Sequence, residues 1–218
     1  MLAVVIPTYD NLIMLCRLVD QLYERTKDFR LYIVEDGQKP ETISYLESLS
    51  KEKQNLTVLL HETNKGVAAS WNDGIREALS DRCESFVILN DDIEVPEGWQ
   101  EVVEKALDTH GFVSLELDFT TFIFSGFFFA LTERTIREVG YFDERFIFYY
   151  EDVDYSLRLQ ASKVKHAKVR LGVIHHESAT IEGNIKQKDP KRYAKIVQDG
   201  LSLVLSKHKN LRNVEKKL

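Results

Sequence analysis

From Leu2 to Leu89 short apolar runs alternate with amphipathic stretches of helical spacing, four strands with three helices between them. Leu2 to Pro7 reads as a buried strand closed by Pro7. Leu12, Leu15, Leu18 or Val19, and Leu22 then recur at helix spacing, with Asp10 or Asn11 placed to cap the start. Leu31 to Val34 forms a second strand ending in Glu35-Asp36-Gly37, followed by a polar helix through Ile43, Leu46 and Leu49 and a third strand at Leu56 to Leu60. Ala68, Trp71, Ile75 and Ala78 mark another helix face, and Phe86 to Leu89 another strand. Such alternation dictates an α/β fold: a mostly parallel sheet with helices on its faces. Ligands of such sheets settle at the carboxyl ends of the strands. Pro7-Thr8-Tyr9-Asp10, Glu35-Asp36-Gly37 and Asn90-Asp91-Asp92 lie at those ends, so three polar clusters converge on one crevice.

The 218 residues suffice for one domain with a sizeable core. At 44% hydrophobic and 29% charged, the composition is that of a globular chain, not of a disordered or collagen-like one. A net charge of −6 argues against nucleic acid as the main partner, because phosphate backbones demand a positive face. Cys16 and Cys83 lack any metal-binding spacing and read as packed, reduced thiols. The most apolar stretch, Phe122 to Leu131, is about half the ~20 residues of a membrane span. The Met-Leu-Ala-Val-Val-Ile-Pro start lacks signal-peptide features, so a cytoplasmic location is expected.

The second half differs in texture. Phe119 to Leu131 reads as an aromatic-rich strand bent at Gly126, and Thr132 to Val139 as a short helix ended by Gly140. The aromatic segment Tyr141 to Tyr150 leads into the acidic run Glu151-Asp152-Val153-Asp154, which opens a helix through Ser156, Leu157 and Leu159. Lys168 to Ile174 reads as a last strand running into His175-His176, and Tyr193 to Leu205 as a final helix. The tail from Lys207 to Leu218 carries five Lys/Arg against one Glu, a solvated helix end or a weak membrane-surface patch. No repeat, linker or low-complexity segment divides the chain.

Several clusters can carry chemistry. Asp91 and Asp92 either cap the turn into Ile93 or supply oxygen ligands for Mg²⁺ or Mn²⁺, which take one or two carboxylates plus substrate phosphates. His175-His176 at a strand end reads either as a structural surface pair or as a source of one nitrogen ligand; no thiolate accompanies them, which argues against a structural zinc site. Asp154 and Arg158, four apart, are placed to pair on a helix surface. Glu151 or Asp152, beside an aromatic wall, suits a general base because apolar surroundings raise a carboxylate's proton affinity. The alternative is that the helix dipole alone favours these acids in a first turn. Asn64-Lys65-Gly66 precedes a helix whose N-terminus favours an anion, but it matches no phosphate-loop motif and taken alone reads as a plain loop.

Taken in order, these clusters resemble those of a family 2 glycosyltransferase of the GT-A fold. The resemblance rests on VVIPTYDN at Val4 to Asn11, VEDG at Val34 to Gly37 and NKGVAASWNDG at Asn64 to Gly74. It continues through LNDDIEVPEGW at Leu89 to Trp99, GYFDERFIFYYEDVDYSLRL at Gly140 to Leu159 and HHES at His175 to Ser178. It implies a single GT-A domain over 1–218, with a nucleotide-sugar-binding half at 1–95, an acceptor and catalytic half at 96–206 and the basic tail at 207–218.

The resemblance also implies roles. Pro7, Thr8, Tyr9, Glu35 and Asp36 would line the nucleotide base and ribose, with Asn64 and Gly66 as the floor. Asn90-Asp91-Asp92 stands at the DxD metal motif, so Asp92 would hold Mn²⁺ or Mg²⁺ against the donor diphosphate. His175 would join it, with His176 as runner-up. Asp152 would be the catalytic base, with Glu151 at the substrate beside it. Two departures stand out: Asn90 replaces the first Asp of DxD, and Glu35 the first Asp of VDDG. The expected activity is metal-dependent, inverting transfer from a nucleotide-diphosphate sugar to a hydroxyl acceptor in glycan, polysaccharide or glycoconjugate synthesis. A UDP-sugar is favoured, with dTDP- or GDP-sugars possible. The aromatics at Phe124 to Phe129 and Phe142 to Tyr150 would partly stack on sugar faces and partly form core.

Two other readings compete. A sugar-phosphate nucleotidylyltransferase would carry a Gly-rich basic loop after the first strand, where this chain has Pro7-Thr8-Tyr9-Asp10. A catalytically silent nucleotide-sugar or glycan-binding module would lack Asp92 or Asp152, and both are present.

Overall fold

The computed structural model describes residues 1–117, 123–176, 186 and 189–208. The first half delivers the expected units: β1 (Leu2–Thr8), α1 (Leu12–Arg25), β2 (Phe29–Glu35), α2 (Pro40–Glu52), β3 (Leu56–Leu60), α3 (Val67–Ser80) and β4 (Ser85–Leu89). After β4 come β5 (Ile93–Glu94), α4 (Trp99–Leu107), β6 (Phe112–Leu115), β7 (Phe128–Thr132), α5 (Glu133–Val139) and α6 (Glu151–Ala161). The described chain closes with β8 (His166–Val169), β9 (Ile174–His175) and α7 (Pro190–Lys207).

Seven strands form one sheet in the order β3-β2-β1-β4-β7-β6-β8. All neighbours are parallel except where β7 runs reversed between β4 and β6. The sheet is therefore mixed and mostly parallel, and β7 brings its amino end to the edge where β4 ends, with Leu89 opposite Phe128. Every residue of β1 is buried, as a central strand covered on both faces requires. Leu2, Val4 and Ile6 face Leu15, Leu18 and Leu22 of α1 and Trp99 of α4 in one core. Ala3 and Val5 face Trp71 and Ile75 of α3 in the other, which also takes Tyr155 of α6. Each fully buried aliphatic of this kind contributes roughly 1.5–3 kcal/mol, so both layers hold the strand ends in fixed register.

Four local expectations are corrected. Phe119–Leu131 is not one strand: its described part becomes strand only at Phe128, and residues 118–122 lie outside the described residues. Lys168–Ile174 splits into β8 in the main sheet and β9, which pairs antiparallel with β5 in a separate two-stranded ribbon. Asn11 holds the N-cap position of α1 without a side-chain cap bond, because its amide donates to Asp91 Oδ1 at 3.0 Å instead. Asp154 and Arg158 do pair, at 2.9 Å, but Asp154 is fully buried rather than on a helix surface. Glu177, Ser178 and the tail beyond His208 lie outside the described residues.

Candidate active site

The carboxyl ends of β1, β2 and β4 open into a cleft of about 310 Å³. Its lining brings together Pro7, Thr8, Tyr9, Asp36, Asn64, Gly66, Asn90, Asp91, Asp92, Glu151, Asp152 and His175. Glu35 lies beneath this lining rather than in it. Its Oε1 accepts from the backbone of Asp10 at 3.1 Å and of Gly37 at 2.5 Å, and burial pushes its carboxyl up to about 7. It braces the turn after β1 against the turn after β2.

Asp36 is committed to loop geometry. Its Oδ1 accepts from Lys65 N at 2.7 Å, its Oδ2 from Gly66 N at 2.8 Å, and His61 Nδ1 lies 2.7 Å from Oδ1. The other His61 nitrogen reaches Asp73 Oδ2 at 3.0 Å. Gly66 follows at φ +92°, where a Cβ would sit 2.6 Å from the Ile147 carbonyl, so only glycine lets this loop cross the second half of the chain. α3 begins at the next residue, and Val67, Ser70 and Trp71 of its first turns line the cleft. The Val67 N–H already donates to the Ile147 carbonyl at 2.9 Å, and it is the helix dipole that favours an anion at that corner.

At the end of β4 the two aspartates diverge. Asp91 faces inward and accepts from Thr8 Oγ1 at 2.6 Å and from Asn11 Nδ2 at 3.0 Å; burial and the charge of Asp92 push it up to about 7. It therefore ties the end of β1 and the turn after it to the end of β4. Asp92 faces the cleft, and its buried Oδ1 has no hydrogen-bond partner among the described residues. His175 Nε2 lies 3.3 Å from that oxygen, close but not aligned as a hydrogen bond, and its ring stacks on Phe127 at 4.3 Å. His176 turns away to Glu94 Oε1 at 2.7 Å, as alternation along β9 requires, while its backbone N–H donates to the Asp92 carbonyl at 2.9 Å. No group of three His, Cys, Asp or Glu able to hold a metal exists among the described residues. Asp92 and His175 therefore fit only a cation that completes its shell with ligand oxygens, which is how Mg²⁺ and Mn²⁺ bind at phosphates.

Glu151 and Asp152 enter the same cleft from the start of α6. Tyr149 and Tyr150 before them take left-handed backbone, φ 64° and 72°, a conformation that bulky residues hold only when their surroundings impose it. Burial raises the proton affinity of both carboxyls, and their mutual repulsion raises that of Glu151 further. Glu151 Oε2 is buried with no partner among the described residues, whereas Asp152 Oδ1 accepts from Val153 N at 2.8 Å.

Among the described residues, Tyr9, Trp71, Phe127, Phe148 and Tyr149 line the cleft, whereas Phe124, Phe128, Phe129, Phe142 and Phe146 are core. Sequence reading overlooked Ser70 and the buried bridge at His61. A lone His after a strand carries no pattern, and only its partners Asp36 and Asp73 give it meaning.

Residues 3–163 match the family described as glycosyl transferase family 2. No curated protein matches the chain in sequence. Among solved structures it is similar to the mannosyltransferase PcManGT from Pyrobaculum calidifontis in complex with GDP-Man and Mn²⁺. That likeness has TM-score 0.63 and 18% identity, over 78% of this chain and 54% of that one. GalNAc-T7 with UDP, GalNAc and Mn²⁺ gives TM-score 0.67 at 16% identity over 80% and 43%; S. aureus TarS gives 0.62 at 16% over 77% and 36%. The chain thus spans about half or less of the length of each, and shares with them the GT-A fold.

Proposed function

The chain belongs to glycosyl transferase family 2, and from that premise we propose that it is an inverting, divalent-metal-dependent glycosyltransferase. Its donor is a nucleotide-diphosphate sugar and its acceptor a hydroxyl group. The observation that carries this reading is one cleft holding a buried oxygen of Asp92 that accepts no hydrogen bond among the described residues, buried Glu151 and half-buried Asp152. The family neighbours whose structures hold UDP or GDP-Man support a uridine or guanosine diphosphate donor.

The ends of β1 and β2 receive the nucleoside, with Tyr9 and the Asp36-braced loop at its edge. The first turn of α3 faces the diphosphate, where the helix dipole opposes the negative charge. Asp92 and His175 would hold the cation, which when bound neutralises charge on the departing diphosphate. Asp152 takes the proton of the acceptor hydroxyl as the oxygen attacks the anomeric carbon, and a single displacement inverts its configuration. Burial and the charge of Asp152 favour the protonated form of Glu151, which spares Asp152 a second negative charge at its side.

Incubation with UDP- and GDP-sugars, Mn²⁺ or Mg²⁺, and a panel of hydroxyl acceptors tests this. Nucleotide release coupled to a product of opposite anomeric configuration, read by NMR, is the expected result. Tight donor binding without turnover on any acceptor or on water would point instead to a silent nucleotide-sugar-binding module.

A further inference from the structure

The last described helix, α7, meets the segment that carries the acid pair near its start, at its middle and near its end. Near its start, Tyr193 stacks on Phe148 with ring centroids 5.8 Å apart and meets Tyr149 edge-on at 6.2 Å. Midway, Gly200 makes room for Tyr150; a Cβ there would lie 2.8 Å from Tyr150 Cδ2. Near its end, buried Val204 joins Phe146, Val153 and Leu157.

Its last residues add charge. Asp154, fully buried in α6, receives Lys207 Nζ at 2.7 Å and His208 Nε2 at 2.8 Å on Oδ1, and Arg158 Nε at 2.9 Å on Oδ2. Lys207 Nζ also reaches Asp143 Oδ2, at 2.6 Å. A helix that only covered an apolar patch would have no use for such a group: a buried carboxylate is costly to desolvate and rewards one geometry. The left-handed Tyr149-Tyr150 pair lies between these contacts, and Asp152 follows two residues later.

We propose that α7 is the positioning element of the turn that carries Glu151 and Asp152, seated by Gly200 against Tyr150 and latched by Lys207 and His208 on Asp154. The role rests on the reading of Asp152 as the base; the latch itself does not. Asp154, Lys207, His208 and Gly200 are thus positioning residues that touch no substrate.

The test is amide hydrogen exchange at residues 149–153 in the wild type, the Lys207→Met/His208→Gln double variant, Lys207→Arg and Gly200→Ala. It is paired with nucleotide release from UDP-glucose, UDP-N-acetylglucosamine and GDP-mannose in Mn²⁺. Exchange in the turn should quicken about 10-fold or more in the double variant and in Gly200→Ala, with β1 and β4 amides unchanged and Lys207→Arg close to wild type. In an active protein, kcat should fall about 10–100-fold with KM nearly constant, as small misplacements of a reacting group cause. Gly200→Ala is the sharper variant, because the added methyl meets Tyr150 of the turn itself, and displacement of a merely passive α7 would leave kcat unchanged.

Unchanged exchange in the turn, equal acceleration of β1 and β4, or a quickened turn with wild-type kcat would each overturn the proposal. A quickened turn in a protein that releases nucleotide from none of the three sugars would uphold the latch and sink the glycosyltransferase reading instead.

Discussion

Thr8, the last residue of β1, and Asp91, two residues past the end of β4, are 83 positions apart in the chain, and Thr8 Oγ1 donates to Asp91 Oδ2 at 2.6 Å. This bond closes the floor of the cleft. It turns Asp91 inward and leaves Asp92, the next residue, facing the cleft with an oxygen that accepts no hydrogen bond among the described residues. Thr8→Val keeps the shape and removes the donor. It should cost about 1–3 kcal/mol in chemical denaturation, the penalty for under-satisfying a buried acceptor. An unchanged midpoint would mean that the bond contributes no net stability.

Asp152→Asn keeps volume and removes basicity. Transfer should fall about 10²–10⁴-fold, the usual worth of a general base. Affinity for nucleotide diphosphate should hold, because the base acts on the acceptor. Comparable losses in both would show that Asp152 serves donor binding.

Gly66→Ala places a methyl 2.6 Å from the Ile147 carbonyl at φ +92°. A drop of roughly 2–3 kcal/mol in stability follows from strain of this kind. Nucleotide affinity should fall with it, since Gly66 lines the cleft and opens α3. Wild-type stability would contradict the close crossing.

Glu35 sets a pH dependence with a definite sign. Burial lifts its folded pKa to about 7, above its unfolded value, so its contribution is full below the unfolded pKa and is lost as pH rises through 7. Asp73, Asp143 and Asp154 are shifted down and lose their contribution only as pH falls below about 4. In Glu35→Gln the amide oxygen still accepts from Asp10 and Gly37. Between pH 5 and pH 8 the variant should gain on the wild type by on the order of 2 kcal/mol in urea unfolding. Parallel curves would refute the buried, proton-binding carboxyl.

The first half was legible because its signals are local. Leu15, Leu18 and Leu22 sit on one helix face, and Leu2 to Thr8 is apolar enough for a strand covered on both sides. The polar clusters at the strand ends pointed to the cleft for the same reason. What escaped was set by partners far along the chain. β7 is a reversed strand only because β4 and β6 flank it. Ile174-His175 left the main sheet because Ile93-Glu94 offered another edge. Glu35 and Asp36 read as ligand groups, yet Glu35 braces two turns from below the lining and Asp36 spends both oxygens on the loop from His61 to Gly66. Sequence showed which residues lie at the strand ends, not which way each carboxylate turns.

The central claim is that this cleft binds a nucleotide diphosphate through a cation held at Asp92. Calorimetric titration of UDP and GDP, with Mn²⁺ and with EDTA, into the wild type and Asp92→Ala tests it most directly. The account predicts binding of one nucleotide in Mn²⁺ that weakens at least about 10-fold, or about 1.4 kcal/mol, both on chelation and in Asp92→Ala. Equal affinity with and without the cation, or in the variant, would contradict it.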